Sequence, residues 1–116
     1  MKEDAHLIMF FDWLKWQEKL DPRLQAVFHV ENERKTTLRQ GAWRKRKGVR
    51  AGIADVINPI AVPPYNGLFM ELKIKPNKLT KDQVKMMELF HTLGWCCRIA
   101  WNGDEAIEIF KTYMKG

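Results

Sequence analysis

The apolar positions fall in short blocks whose spacing changes along the chain. Leu7, Phe10, Phe11 and Leu14 recur at three- and four-residue intervals, which predicts a helix from Asp4 to about Leu20, stopped by Pro22. Four later runs have strand length: Gln25–Val30 (QAVFHV), Ile53–Asn58 (IADVIN), Leu68–Ile74 (LFMELKI) and Trp95–Trp101 (WCCRIAW). A short helix ending at Gly48 precedes the second of these. Pro59–Gly67 holds three prolines and an Asn-Gly pair and reads as a loop, and Lys75–Leu79 reads as a turn. Thr80 opens a helix that runs to Leu93, with Val84, Met87, Phe90 and Leu93 on one side and Gly94 as its stop; a last amphipathic helix covers Asp104–Met114. The order α-β-α-β-β-α-β-α predicts a mixed α/β domain, a sheet of about four strands flanked by helices. No internal repeat breaks this pattern.

Size changes the picture little. A chain of 116 residues is expected to form one domain over residues 1–116, with 46% apolar residues to fill its core. The longest strictly apolar run, Leu7–Phe11, is too short for a signal-peptide core or a membrane span. Cys96 and Cys97 are neighbours and point to opposite faces of a strand, so they read as unbridged thiols of a reducing, cytoplasmic setting.

Charge changes it more. The net charge of +6 is concentrated in one stretch: Arg34, Lys35, Arg39, Arg44, Lys45, Arg46, Lys47 and Arg50 lie within seventeen residues that contain no acid. The remaining 99 residues carry twelve bases and fourteen acids. A solvated helix face usually mixes signs, whereas an unmixed basic segment attracts an anionic partner, nucleic acid above all. The segment has few large apolar residues with which to enter a membrane surface. Gly48 and Gly52 would let the backbone approach phosphate, but no Lys-Ser or Lys-Thr follows in the P-loop pattern, so no nucleotide cofactor is indicated.

The chemical anomalies lie inside strands. Asp55 interrupts one apolar run, and Glu71 and Lys73 interrupt another. Ionised groups in apolar settings are costly unless paired or bound to metal. Glu71 and Lys73 are two apart and share one strand face. Antiparallel pairing across the Pro-rich loop would set Asp55 opposite Glu71, because both lie equally far from residue 63; the sequence does not set that register. Two carboxylates and an ammonium on one face would suit Mg²⁺ or Mn²⁺ and the cutting of a phosphodiester. Alternation alone equally allows Glu71 and Lys73 to face water on a half-buried sheet. Thr80-x-x-Gln83 fits a helix capping box. Glu3 falls in a first helical turn, where the macrodipole favours an acid. His29 reads as a satisfied core or DNA-facing histidine, and the five tryptophans as mostly core, with Trp43 near nucleic acid or a partner chain.

Three stretches carry a resemblance: Gly48-Val49-Arg50-Ala51-Gly52-Ile53-Ala54-Asp55, Gly67-Leu68-Phe69-Met70-Glu71-Leu72-Lys73 and Leu79-Thr80-Lys81-Asp82-Gln83. Together they resemble the virus-type replication-repair nuclease (VRR-NUC) domain of the PD-(D/E)xK, restriction-endonuclease-like nucleases. Glu3 and the turn His29-Val30-Glu31-Asn32 also match it, although the family usually has proline at the positions of Ala54 and Glu31. The resemblance implies metal ligands at Asp55 and Glu71, often completed by the Leu72 carbonyl, a catalytic Lys73, a supporting catalytic role for Gln83, and a supporting role for Glu3 as a further metal ligand. It further implies a phage or bacterial nuclease, a homodimer and branched DNA such as Holliday junctions. The expected function is thus a metal-dependent, structure-selective DNA endonuclease, with residues 34–50 gripping phosphates. The rival is a non-catalytic nucleic-acid-binding module using only that basic segment, and a third reading is a nuclease subunit acting with a helicase partner.

Overall fold

The computed structural model describes residues 2–31 and 37–116. Helix α1 spans Glu3–Glu18 and buries Phe10 and Leu14, the centre of the expected stripe. The chain then departs from expectation. Asp21 accepts a hydrogen bond from the Arg23 amide, Pro22 sits in the first turn, and Pro22–Ala26 forms a short 3-10 helix that buries Leu24. That turn consumes the start of the expected strand Gln25–Val30. What remains is a single bridge, in which Phe28 and Ile57 exchange both backbone hydrogen bonds. Among the described residues the sheet therefore has three strands instead of about four.

The basic helix forms as expected. Helix α2 spans Leu38–Arg46, opened by a reciprocal capping box between Thr37 and Gln40. Three strands follow the Gly48–Asp55 passage: β1 (Val56–Asn58), β2 (Leu68–Leu72) and β3 (Cys96–Ala100). Helix α3 (Lys81–Thr92) lies between β2 and β3, and helix α4 (Gly103–Lys115) ends the chain. Strand β2 is central, antiparallel to β1 and parallel to β3. The parallel pair requires a crossover, which α3 supplies.

Both faces of β2 are covered, and all five of its residues are buried. Leu68, Met70 and Leu72 join Phe10, Leu14, Val56 and Phe110 in the core beneath α1 and α4. Phe69 faces the other way and joins Ala54 and Ile57 beneath α3, whose Met86, Met87 and Phe90 pack there. The Phe69 and Phe90 rings stack with centroids 4.3 Å apart. The buried side of α3 thus runs through Met86, Met87 and Phe90, while Val84 and Leu93, expected on that side, are exposed. Period-2 alternation places Glu71 and Lys73 on the α3 face with Phe69. Both are buried, at 3% and 8% exposure, which rules out a water-facing pair. Cys96 and Cys97 are free thiols. Trp16 departs from the expected core placement, at 67% exposed, whereas Trp43, expected outside the core, is 55% exposed. Among the described residues no helix is long and apolar enough to cross a membrane.

Gly52 ties the passage after α2 to the start of α3. Its φ is +86°, and a Cβ there would lie 2.3 Å from the Asp82 carbonyl oxygen and 2.9 Å from the Gln83 nitrogen. Gly48 has a similar φ of +90° but nothing within 4 Å of the same position. Alanine at either site meets backbone strain of about 1–3 kcal/mol. Gly52→Ala must also push α3 away. Chemical denaturation should therefore show Gly52→Ala clearly less stable than Gly48→Ala; equal losses would mean that the close approach at Gly52 constrains nothing.

Candidate active site

A cleft of about 1050 Å³ opens between the start of α1, the ends of β1 and β2, and the start of α3. Leu7, Ile8 and Phe11 of α1 contribute an apolar wall, and Glu3, His29, Asp55, Glu71, Lys73 and Gln83 supply polar groups. The register that assembles it is Val56 opposite Met70 and Ile57 opposite Phe69. One step further, Asp55 comes opposite Glu71, the pairing that equal distance from residue 63 predicts. Regular β1 begins only at Val56. At Asp55 the side chain takes over the ladder: its Oδ2 accepts from the Leu72 amide at 2.9 Å. In an extended strand the N–H and C=O of one residue leave on the same side, so the Leu72 carbonyl also faces Asp55.

The backbone of Asp55 is held as well. His29 Nδ1 lies 2.7 Å from the Asp55 carbonyl oxygen, which only accepts, so Nδ1 carries the proton and donates. The other ring nitrogen lies 3.4 Å from a Glu31 carboxylate oxygen. His29 is therefore neither a core residue nor a proposed ligand but a brace for Asp55, a role with no signature in a lone histidine. Asn77 is a second residue that sequence reasoning passed over as a turn; its Nδ2 donates to Glu3 Oε2 at 3.4 Å.

Gln83 caps α3 and also contacts Glu71. Its Oε1 accepts from the Thr80 amide at 2.9 Å while the Gln83 amide donates to Thr80 Oγ1 at 3.2 Å, the reciprocal cap. Its Nε2 donates to Glu71 Oε1 at 3.2 Å. One amide side chain thus fixes the start of α3 and orients a buried carboxylate.

Burial pushes the Glu71 carboxyl up to about 9; the Asp55 carboxylate facing it adds to the rise, the Lys73 ammonium opposes it, and Glu3 contributes a smaller upward push. A hard dication between the two carboxylates would remove that repulsion. Two carboxylates and a backbone carbonyl are an all-oxygen set, which fits Mg²⁺ or Mn²⁺ and its retained waters and lacks the nitrogen and sulfur ligands that zinc prefers. Among the described residues no three His, Cys, Asp or Glu side chains converge to hold a metal on their own, so Glu3 shares the cleft without closing on the pair.

The basic residues lie on α2 and the turn after it. Arg39, Lys45, Arg46, Lys47 and Arg50 are exposed and Arg44 is half-buried. Arg34 and Lys35, together with Asn32 of the His29–Asn32 turn, lie outside the described residues. The passage from α2 to Asp55 runs through Gly52, against the backbone of Asp82 and Gln83.

No protein-family model matches the chain, and no curated protein matches it significantly. A solved structure described as "VRR_NUC domain protein" does: it is 26% identical, superposes with a TM-score of 0.81, and the match covers 99% of this chain and 89% of that one. A likeness extending over the helices on both sides of the sheet, and not the sheet alone, makes this a restriction-endonuclease-like α/β fold. Within that class the chain has the fold of a VRR-NUC domain, a nuclease-type domain, as its three motif stretches implied.

The raised Glu71 value has a thermodynamic consequence. The folded protein keeps a proton that the unfolded chain releases as pH rises through the ordinary 4.5. Stability should fall from there until about 9, where the folded state releases the proton too. Without divalent metal, Glu71→Gln should melt above wild type at pH 8, and the gap should narrow toward pH 5. Parallel profiles for the two proteins would show that Glu71 is ionised throughout.

Proposed function

We propose that this protein is a Mg²⁺- or Mn²⁺-dependent DNA endonuclease that selects its substrate by structure, acting on branched DNA such as Holliday junctions. The observation that carries the reading is the buried Glu71 facing Asp55 at the end of the central strand, with Lys73 on the same strand face. A module that only binds nucleic acid has no use for such a group, which costs stability and touches nothing outside the cleft.

Asp55 and Glu71 would hold the metal, with the Leu72 carbonyl as a further oxygen ligand. Bound there, the dication supplies positive charge that polarises the scissile phosphate and makes water a better nucleophile. Asp55 enters this arrangement already fixed at both ends, its side chain by the Leu72 amide and its backbone by His29. Gln83 keeps one Glu71 oxygen directed by a hydrogen bond. Lys73 orients the attacking water and offsets negative charge building on the phosphate. Its burial keeps water from screening that charge. Glu3, at the mouth of the cleft beside Asn77, is a supporting residue. Arg39, Arg44, Lys45, Arg46, Lys47 and Arg50 grip backbone phosphates, with Arg34 and Lys35 assigned to the same task from sequence. A homodimer fits the symmetry of a four-way junction, in which two strands must be cut in opposing positions.

The test is cleavage of junction and linear duplex DNA with Mg²⁺ and with EDTA. Wild type should cut the junction only with metal. Asp55→Ala and Glu71→Ala should lose cleavage and keep DNA binding, and Lys73→Ala should lose about 10²–10³ in rate. If Glu71→Ala is folded by circular dichroism and cuts as fast as wild type, the assigned site is wrong.

A further inference from the structure

Trp43 is not accounted for by the fold. It lies on α2, which buries none of its residues, and no other described element packs extensively on that helix. The indole is 55% exposed. Burial of a tryptophan is among the larger apolar gains available to a chain, and this ring is left in water on a helix that carries bases and no acid. Its neighbours narrow the choice. Helical spacing puts Arg39, Arg46 and Lys47 on the Trp43 face, one turn before and one turn after it. The Arg46 guanidinium stands 5.2 Å from the ring centroid, a cation–π contact that holds the ring within the cationic stripe. An aromatic flanked by cations, with no acid on the helix, complements a polyanion that also presents flat π-faces.

We propose that Trp43 stacks on an unpaired base of DNA, so that α2 reads single-stranded character while its cations hold the flanking phosphates. In an intact duplex each base face is covered by the next pair, and an indole has nothing to stack on. At a gap or a single-stranded fork arm a base is free. Trp43 is then a specificity-determining residue, and its contribution differs in kind from that of its neighbours. A cation that neutralises a phosphate releases counterions, so its contribution fades with salt, whereas stacking releases none. The inference rests on the DNA-binding half of the function proposed above and not on catalysis.

The experiment measures affinity of the full chain, in EDTA so that nothing is cut, for a fluorescein-labelled single-stranded 20-mer and for the blunt 20-base-pair duplex, over a series of salt concentrations. Trp43→Ala should weaken single-strand binding by about tenfold or more, as loss of a stacked base does. It should change duplex binding less than about twofold, and leave the slope of log K against log[salt] unchanged on both DNAs. Trp43→Phe should restore most of the single-strand affinity. Arg39→Ala with Lys47→Ala should instead lower the slope on both DNAs. Equal weakening of both DNAs by Trp43→Ala, a changed salt slope, or no weakening would each overturn the inference. A wild type that cuts with Mg²⁺ while Trp43→Ala binds normally removes this inference and leaves the nuclease reading. A wild type that never cuts but shows the stacking pattern does the reverse, and one that binds neither DNA ends both.

Discussion

The burial of one carboxylate opposite another is the constraint around which the rest of this structure is arranged. Glu71 sits on a strand covered on both faces, 3% exposed, with Asp55 across the antiparallel ladder. In such a setting a second negative charge is expensive, and burial, together with the Asp55 charge, pushes the Glu71 carboxyl up to about 9. A group held in that condition is poised for a cation. The surrounding contacts keep it poised: Lys73 adds positive charge nearby, Gln83 directs one oxygen, and the Leu72 amide and His29 hold Asp55 in place.

Several of these supports serve the fold and the cleft together. Gln83 is a capping residue and a donor to Glu71, so the start of α3 cannot drift without turning the carboxylate. Gly52 brings the strand leading to Asp55 against the Asp82–Gln83 backbone, closer than any side chain would permit. The basic helix lies immediately before this glycine. A basic, exposed segment and an acidic, buried one are thereby linked through the eight residues between Arg46 and Asp55 and one close backbone contact. The likeness to the VRR-NUC structure extends across all of them, since it covers 99% of the chain.

Much of this architecture is legible in the order of residues. The stripe at Leu7, Phe10, Phe11 and Leu14, the capping pair at Thr80 and Gln83, and the glycine after the basic helix are local signals, and local hydrogen bonding and side-chain period realise them within two residues of expectation. The first expected strand failed for a reason equally local but harder to weigh. Asp21 and Pro22 nucleate a 3-10 turn that uses up Gln25 and Ala26, and only Phe28 is left to pair. The face of α3 shifted because its partner, Phe69, selects Phe90 and the two methionines over Val84 and Leu93.

The sequence by itself determined that Glu71 and Lys73 share a strand face, and that Asp55 would oppose Glu71 if the ribbon paired symmetrically about residue 63. Both follow from a side-chain period of two and from chain counting. Whether that face is wet or dry was beyond it, because alternation is blind to what covers a strand. Only the tertiary structure, by laying α3 across Phe69 and setting α1 at the end of the sheet, took Glu71 out of water and made two ordinary acids into a strained pair. The braces from His29 and the reach of Gln83 to Glu71 belong to the same level, since residues 26 and 12 positions apart meet only when the sheet and the helix above it have closed.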